Sequence, residues 1–271
     1  MPAIQPALLK QQTAELADQF SDPDAFVKSL HNLLENYADR THRPGHTGEP
    51  SPLTTSYKVQ SPVLRMILKE LIPRISIESQ LTLALCDKLW NQPILEFRQL
   101  SASLLGYIPP TPPEPIIRRV LTWINPQIEI RVINSLLSNG LRRMRKEKPQ
   151  EVLNLAENWL SDDLIFNNKL GMYTLLHLIH DSDMQDLPAL FRLIQPFSTS
   201  THPDLHADLL DILEVLAIRS PEETSYFLRQ TLYLPNSSDT PWLIRQVLHN
   251  FPPENQITLR REIKSLNNNQ I

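Results

Sequence analysis

SPVLRMILKEL, residues 61–71, reads as the opening of a helix that belongs to a series. Pro62 follows Ser61 directly, and proline at a first helical position loses no hydrogen bond, because that N–H has no partner within the helix anyway. Leu64, Ile67, Leu68 and Leu71 then recur at the three- and four-residue spacing that lines one side of a helix. A second helix is expected from about Ile77, carrying Leu81, Leu85, Leu89 and Trp90. After Pro93 the pattern returns. Leu95, Phe97, Leu100, Leu104 and Leu105 mark one helix, the proline cluster Pro109 to Pro115 breaks it, and Ile116, Ile117, Val120, Leu121 and Trp123 mark the next. The starts at Pro62, Pro93 and Pro126 stand 31 and 33 residues apart, each interval holding two helices, which is close to the period of helical-pair solenoids.

The spacing predicts an all-α protein, a HEAT-like or armadillo-type right-handed solenoid of about six helix pairs forming a single domain over residues 1–271. Trp90 and Phe97 are expected in the core between repeats. Stacked pairs of this kind bury a continuous apolar seam and leave a concave surface suited to a long ligand. Other helix starts are read at Asp22-Pro23, Asn125-Pro126, Ser220-Pro221 and Thr240-Pro241, with weaker caps at Gln92-Pro93, Lys148-Pro149 and His202-Pro203. Ser220-Pro221-Glu222-Glu223 also has the form of a capping box. Phe26, Val27, Leu30, Leu33, Leu34 and Tyr37 give the helix after Pro23 its apolar stripe. Residues 41–56, with Pro44, Gly45, Gly48, Pro50 and Pro52, read as a flexible loop, and residues 267–271 as a frayed tail.

Hydrophobic residues make up 41% of the chain and charged residues 21%, so its 24 prolines punctuate a folded protein instead of signalling disorder. No run approaches the roughly 18 apolar residues needed to span a membrane, and Met1 to Lys10 lack the basic and apolar regions of a secretory signal. A soluble, cytoplasmic, monomeric protein is expected. The single cysteine, Cys86, sits in an apolar-periodic stretch and reads as a buried, inert thiol. A formal net charge of −4 argues against a general nucleic-acid coat and leaves room for a local basic face. His177 and His180 are three apart, but no partners in the sequence make them a metal site, so no metal is expected. The chain has no Gly-rich phosphate loop, no Gly-x-Ser-x-Gly and no Cys-x-x-Cys, which removes nucleotide-hydrolase, serine-hydrolase and zinc-ribbon readings.

Three stretches together resemble the AlkD-type DNA alkylation repair proteins, a family of HEAT-like-repeat DNA glycosylases. SYKVQSPVLR, residues 56–65, looks like the family's entry segment, an aromatic, a valine, a nearby proline and then Leu-Arg. Leu89-Trp90, Glu96-Phe97-Arg98 and Leu104-Leu105 are similar to its Leu-Trp, Glu-aromatic-Arg, Leu-Leu helix pair. Trp159, Ser161-Asp162-Asp163, Phe166 and Lys169 fall where the family has Trp, an acidic turn, a second Trp and an Arg. The resemblance covers Tyr57 to Ile179. It implies a protein that holds duplex DNA on a concave basic face and releases N3- or N7-alkylated purines. It also implies a carboxylate that stabilises the oxocarbenium sugar, aromatic rings that bracket the nucleotide, and no metal or organic cofactor.

The chain departs from this pattern as a divergent member would. The family has an Asp one helical turn after the tryptophan that corresponds to Trp123, and here that position is Gln127. Glu129, six residues after Trp123, is the nearest carboxylate and the candidate catalytic residue, with Trp123 and Phe166 as the bracketing rings. It shares a face with Trp123 only if a helix begins between them, at Pro126. Lys169 replaces an Arg and loses the planar two-pronged grip on phosphate. Candidate DNA contacts are Arg65 and Lys69, four apart on one helix, the run Arg142, Arg143, Arg145 and Lys146, then Arg119 and Lys169. Arg118 is a further candidate, whereas Glu96 and Arg98 read better as inter-layer ion-pair partners. The expected function is binding of duplex or distorted DNA with weak or no base excision. Alternatives are an active alkylpurine glycosylase and a protein-binding scaffold, the latter favoured by the net negative charge.

Overall fold

The computed structural model describes residues 5–39, 55–181 and 186–269, and among them the protein is all helix apart from one isolated bridge. Its contacts divide it into two compact units, Met1–Lys148 and Pro149–Ile271.

In the N-terminal unit the helices are α1 (Pro6–Ala17), α2 (Pro23–Tyr37), α3 (Ser61–Ile75), α4 (Ser79–Trp90), α5 (Leu95–Leu105), α6 (Glu114–Trp123), α7 (Ile130–Ser135) and α8 (Arg142–Glu147), with a π-helical turn, Leu136–Gly140, before α8. Alternate helices pack on one another: α1 on α3, α3 on α5, α5 on α7, and α2 on α4. Trp90 and Phe97 are buried as expected, and so are Ile67, Leu71, Leu85, Leu89, Leu104 and Leu105. Removing a fully enclosed ring such as Phe97 costs about 3–5 kcal/mol in comparable cores. Gly106 lets the π-helical turn approach α5, since a Cβ there would lie 1.8 Å from the carbonyl oxygen of Asn139.

Some helix starts follow the sequence reading and others differ from it. Asp22 caps α2, its carboxylate accepting from the N–H groups of Asp24 and Ala25. Pro126 opens no helix. Asn125 Oδ1 accepts from Gln127 N–H at 3.0 Å, and the resulting turn delays α7 until Ile130. Pro93 likewise precedes its helix by a turn, α5 beginning at Leu95. Ile77 and Leu81 are exposed, because the true start of α4 at Ser79 turns Leu83 and Cys86 inward in their place. The loop expected over residues 41–56 lies outside the described residues up to position 54. Its last two members are anchored: Thr55 bridges Ile94 and accepts from Leu95 N–H at 2.9 Å.

The C-terminal unit holds α9 (Pro149–Leu160), α10 (Ile165–His180), α11 (Leu187–Thr199), α12 (His206–Arg219), α13 (Pro221–Leu232), α14 (Thr240–Val247) and α15 (Pro253–Asn269). Again alternate helices meet, α10 on α12, α12 on α14, α11 on α13 and α13 on α15, while α9 pairs closely with α10. Gly171 permits that pairing, as a Cβ there would sit 2.5 Å from Leu160 Cγ. The expected capping box at Ser220 does not form. Ser220 makes no side-chain cap, and Thr224 instead turns its hydroxyl back to the carbonyls of Leu216 and Ser220. The backbone of α15 continues to Asn269, and the last residues of the expected frayed tail, 270 and 271, lie outside the described residues.

Candidate nucleic-acid interface

Trp90 at the end of α4 and Trp123 at the end of α6 stack face to face, with centroids 4.6 Å apart and planes at 10°. Arg98 of α5 lies over Trp90, 5.8 Å from its centroid, and donates from Nε to the Trp90 carbonyl at 3.3 Å. Burial lowers the Arg98 pKa, and the negative charge of Glu129 acts against that shift. Glu129 itself stands immediately before α7, its carboxylate 2.5 Å from Arg131 Nε. Trp123 and Glu129 therefore sit on either side of a turn, and Glu129 faces guanidinium groups. Gln127 is exposed within the turn.

Glu96 does not join an ion pair with Arg98. At 3% exposure it turns one carboxylate oxygen to Ser56 Oγ and Lys58 N–H, both at 2.8 Å. Lys58 has φ 54°, a left-handed conformation that is costly for a residue with a Cβ, and the Glu96 bond helps to hold it there. The entry segment and the Glu-aromatic-Arg motif are thus two halves of one clamp. Beside it, the Tyr57 hydroxyl lies 2.8 Å from His31 Nδ1. Burial foremost, then the charges of Glu35 and Glu96, raises the tyrosine's pKa.

Between residues 52 and 250, roughly three quarters of the chain, the sequence matches the family model of the DNA alkylation repair enzymes. The chain belongs to that family. Neither the curated proteins nor the solved structures returned a match. Membership supports a role in DNA alkylation repair and points to DNA as a partner.

The basic residues read from the sequence are placed unequally. Arg65 and Lys69 are exposed on α3, one turn apart, with no partner among the described residues. Arg65 borders a small recess shared with Gln99 and Ser103 of α5. At the start of α8, Arg142 is exposed and lies over the Tyr107 ring. Arg143 pairs with Glu147 at 2.5 Å and donates to the Tyr107 carbonyl and to Ser76 Oγ, at the C-terminal ends of α5 and α3. Lys146 is exposed. Arg145 points inward, 7% exposed, and donates to the Leu137 carbonyl at 2.8 Å, so as placed its guanidinium serves the π-helical turn. Arg119 is engaged as well, its fork on both oxygens of Asp87 at 2.9 and 2.6 Å. Arg118 is exposed.

In the C-terminal unit Trp159 is buried, and Asp162 accepts from Leu164 N–H and Asn167 Nδ2, bonds that lower its pKa. Phe166, Lys169 and Tyr173 are half-buried along the outer stripe of α10. Burial foremost, then the nearby carboxylate of Asp208 on α12, raises the Tyr173 pKa. Burial raises the Asp208 carboxyl above the ordinary aspartate value, offset in part by the charge of Lys169 and the nearby Tyr173 hydroxyl. Lys169 therefore faces a carboxylate of its own unit. No group of three or more metal-ligating side chains occurs among the described residues. Asp87 and Asp208 act on Arg119 and Lys169 from other helices, so neither was legible in the sequence, whereas Glu147 lies four residues from Arg143 within α8 and Arg131 two residues from Glu129, spacings that the sequence does display.

Proposed function

We propose that this family member binds duplex or distorted DNA through phosphate contacts on a HEAT-like surface and excises alkylated purines weakly or not at all. Arg65, Lys69, Arg142 and Lys146 carry the contacts, assisted by Arg143, whose bonds to Ser76 and Tyr107 fix the start of α8 at the C-terminal ends of α3 and α5. Arg119, Arg145 and Lys169 contribute less, because each has a protein partner or an inward position. The packing of alternate helices within each unit is what stacked helix pairs require.

The observation that carries the non-catalytic half is the 2.5 Å pairing of Glu129 with Arg131. A carboxylate that stabilises an oxocarbenium must offer its negative charge to the sugar, and a guanidinium already in contact screens that charge. Incubation with duplex DNA carrying 7-methylguanine is expected to release no base above the spontaneous rate. Enzyme-dependent release that is abolished by Glu129→Gln would establish an active glycosylase instead. Arg131→Ala, which frees the carboxylate, is the informative companion: a gain of release there would locate the block in the ion pair.

A further inference from the structure

The two units differ in charge. Residues 149–271 hold 16 Asp and Glu against 8 Lys and Arg, a net −8, whereas residues 1–148 hold 14 against 18, a net +4. A unit whose carboxylates outnumber its cations two to one disfavours phosphate and attracts basic partners. Within the C-terminal unit, α11, α13 and α15 enclose a cleft of about 710 Å³. Its lining is mainly apolar. Phe191 of α11 stacks on Phe227 of α13, with centroids 4.7 Å apart and planes at 18°, and Leu187 lines the cleft one turn before Phe191.

Tyr226 also lines the cleft and is 62% exposed, a large ring left open beside an apolar recess, as at protein interaction surfaces. Glu222, Tyr226 and Gln230 recur every four residues, a ridge about 12 Å long that presents two turns of α13. The charge along this ridge has one sign. Glu222 and Glu223 line the cleft, both exposed and without an ion partner among the described residues. The cation in its wall, Arg229, is taken by Glu262, with Nη2 3.0 Å from Oε1. An acid in a first turn also suits the helix dipole, but that role accounts neither for the apolar recess beside it nor for the excess of carboxylates across the unit.

We propose that this cleft docks a basic amphipathic helix of another protein, its apolar stripe against Phe191 and Tyr226 and its Lys and Arg residues against Glu222 and Glu223. An incoming helix brings anchors at three- and four-residue spacing that match the ridge of α13. An incoming strand needs an open sheet edge, and the described residues of this unit hold none. Charge complementarity selects a basic partner over an acidic one. Asn255, a wall residue 6% exposed whose Oδ1 has no hydrogen-bond partner, adds an acceptor for an incoming N–H. The inference goes beyond DNA binding and stands whether or not the cations of α3 and α8 hold phosphate.

The probe is a fluorescein-labelled synthetic peptide of about 18 residues, long enough to form a helix, with leucines at the anchor positions and lysines flanking them. Anisotropy titration with the full chain should saturate in the micromolar range, and a twin peptide with glutamate in place of every lysine should bind at least about tenfold more weakly. Glu222→Gln with Glu223→Gln should weaken the basic peptide about fivefold and Tyr226→Ser about tenfold, all at exposed positions and with an unchanged circular dichroism spectrum. Asp163→Asn with Asp211→Asn makes the same charge change at exposed positions of the same unit that do not line the cleft, and should leave affinity within about twofold. Equal affinity for the two peptides, no saturable binding at about 0.1 mM, or equal losses from the cleft pair and the control pair would overturn the proposal. Self-association of the chain in sedimentation that Tyr226→Ser abolishes would also overturn it, by assigning the cleft to a second copy.

Discussion

Arg145 separates a structural from a DNA-binding account of the basic run at residues 142–146. Its side chain is 7% exposed, with Nη1 2.8 Å from the Leu137 carbonyl, so Arg145→Ala removes a charge-assisted hydrogen bond, leaves a helix-end carbonyl short of a partner and empties the space of a long apolar stem. A bond to a charged group contributes about 1.5–3 kcal/mol, and an orphaned buried carbonyl costs about 1–3 kcal/mol. The two overlap, and a net loss of about 3 kcal/mol is expected. For a chain of this size that lowers Tm by roughly 6–12 °C. Arg142→Ala, at an exposed position, should move Tm little, within about 0.5 kcal/mol of stability. The assay is urea unfolding followed by circular dichroism, paired with DNA affinity measured at a temperature where both variants are folded. Were Arg145→Ala as stable as the parent while reducing DNA affinity as Arg142→Ala does, the inward placement would be wrong.

Two further perturbations have signed outcomes. Asp208 has a folded-state pKa raised by burial, so the native state holds that proton more tightly than the unfolded chain does. Its stabilising contribution is present at acid pH and is lost as pH rises through the raised value; Asp208→Asn should remove that loss, which urea midpoints between pH 4 and 7 would reveal as a flatter profile than the parent's. Cys86 is fully buried, its thiol pKa pushed far upward by burial, and Ser101 Oγ donates to its carbonyl at 2.8 Å. Ellman's reagent should leave it untouched in the native protein and titrate one thiol after denaturation; rapid native labelling would show the packing of α4 on α5 to be wrong.

The helical architecture was legible because periodicity is a local property. Ile67, Leu71, Phe97 and Leu104 announce their faces within a few residues, and proline after an N-cap fixes where most helices begin. The reading failed where a local signal had two solutions. Asn125-Pro126 suits a helix start and an Asx turn equally, and the turn won, carrying Glu129 away from the helix of Trp123. Ser220 and Glu223 have the spacing of a capping box, yet Thr224 took the carbonyls of the preceding turn instead. The candidate site was less legible than the fold. Charge can be counted in a sequence, but whether Arg119 is free depends on Asp87, 32 positions away, and whether Arg145 is outside depends on a π-helical turn that no composition signals. Glu96 reads in the sequence as an ion-pair partner, and its actual partners are the Ser56 hydroxyl and the Lys58 N–H, some 40 residues earlier.

The central claim is that a few cations, and not the overall field of an acidic chain, hold DNA. A salt titration of duplex affinity addresses it directly, comparing the parent with a variant in which Arg65, Lys69, Arg142 and Lys146 are alanine. Each phosphate contact contributes about −0.9 to the slope of log affinity against log salt, so losing four should flatten the slope by about 3.6, with affinity falling alike for every sequence. An unchanged slope in the folded variant, or no binding by the parent at low salt, would contradict the claim.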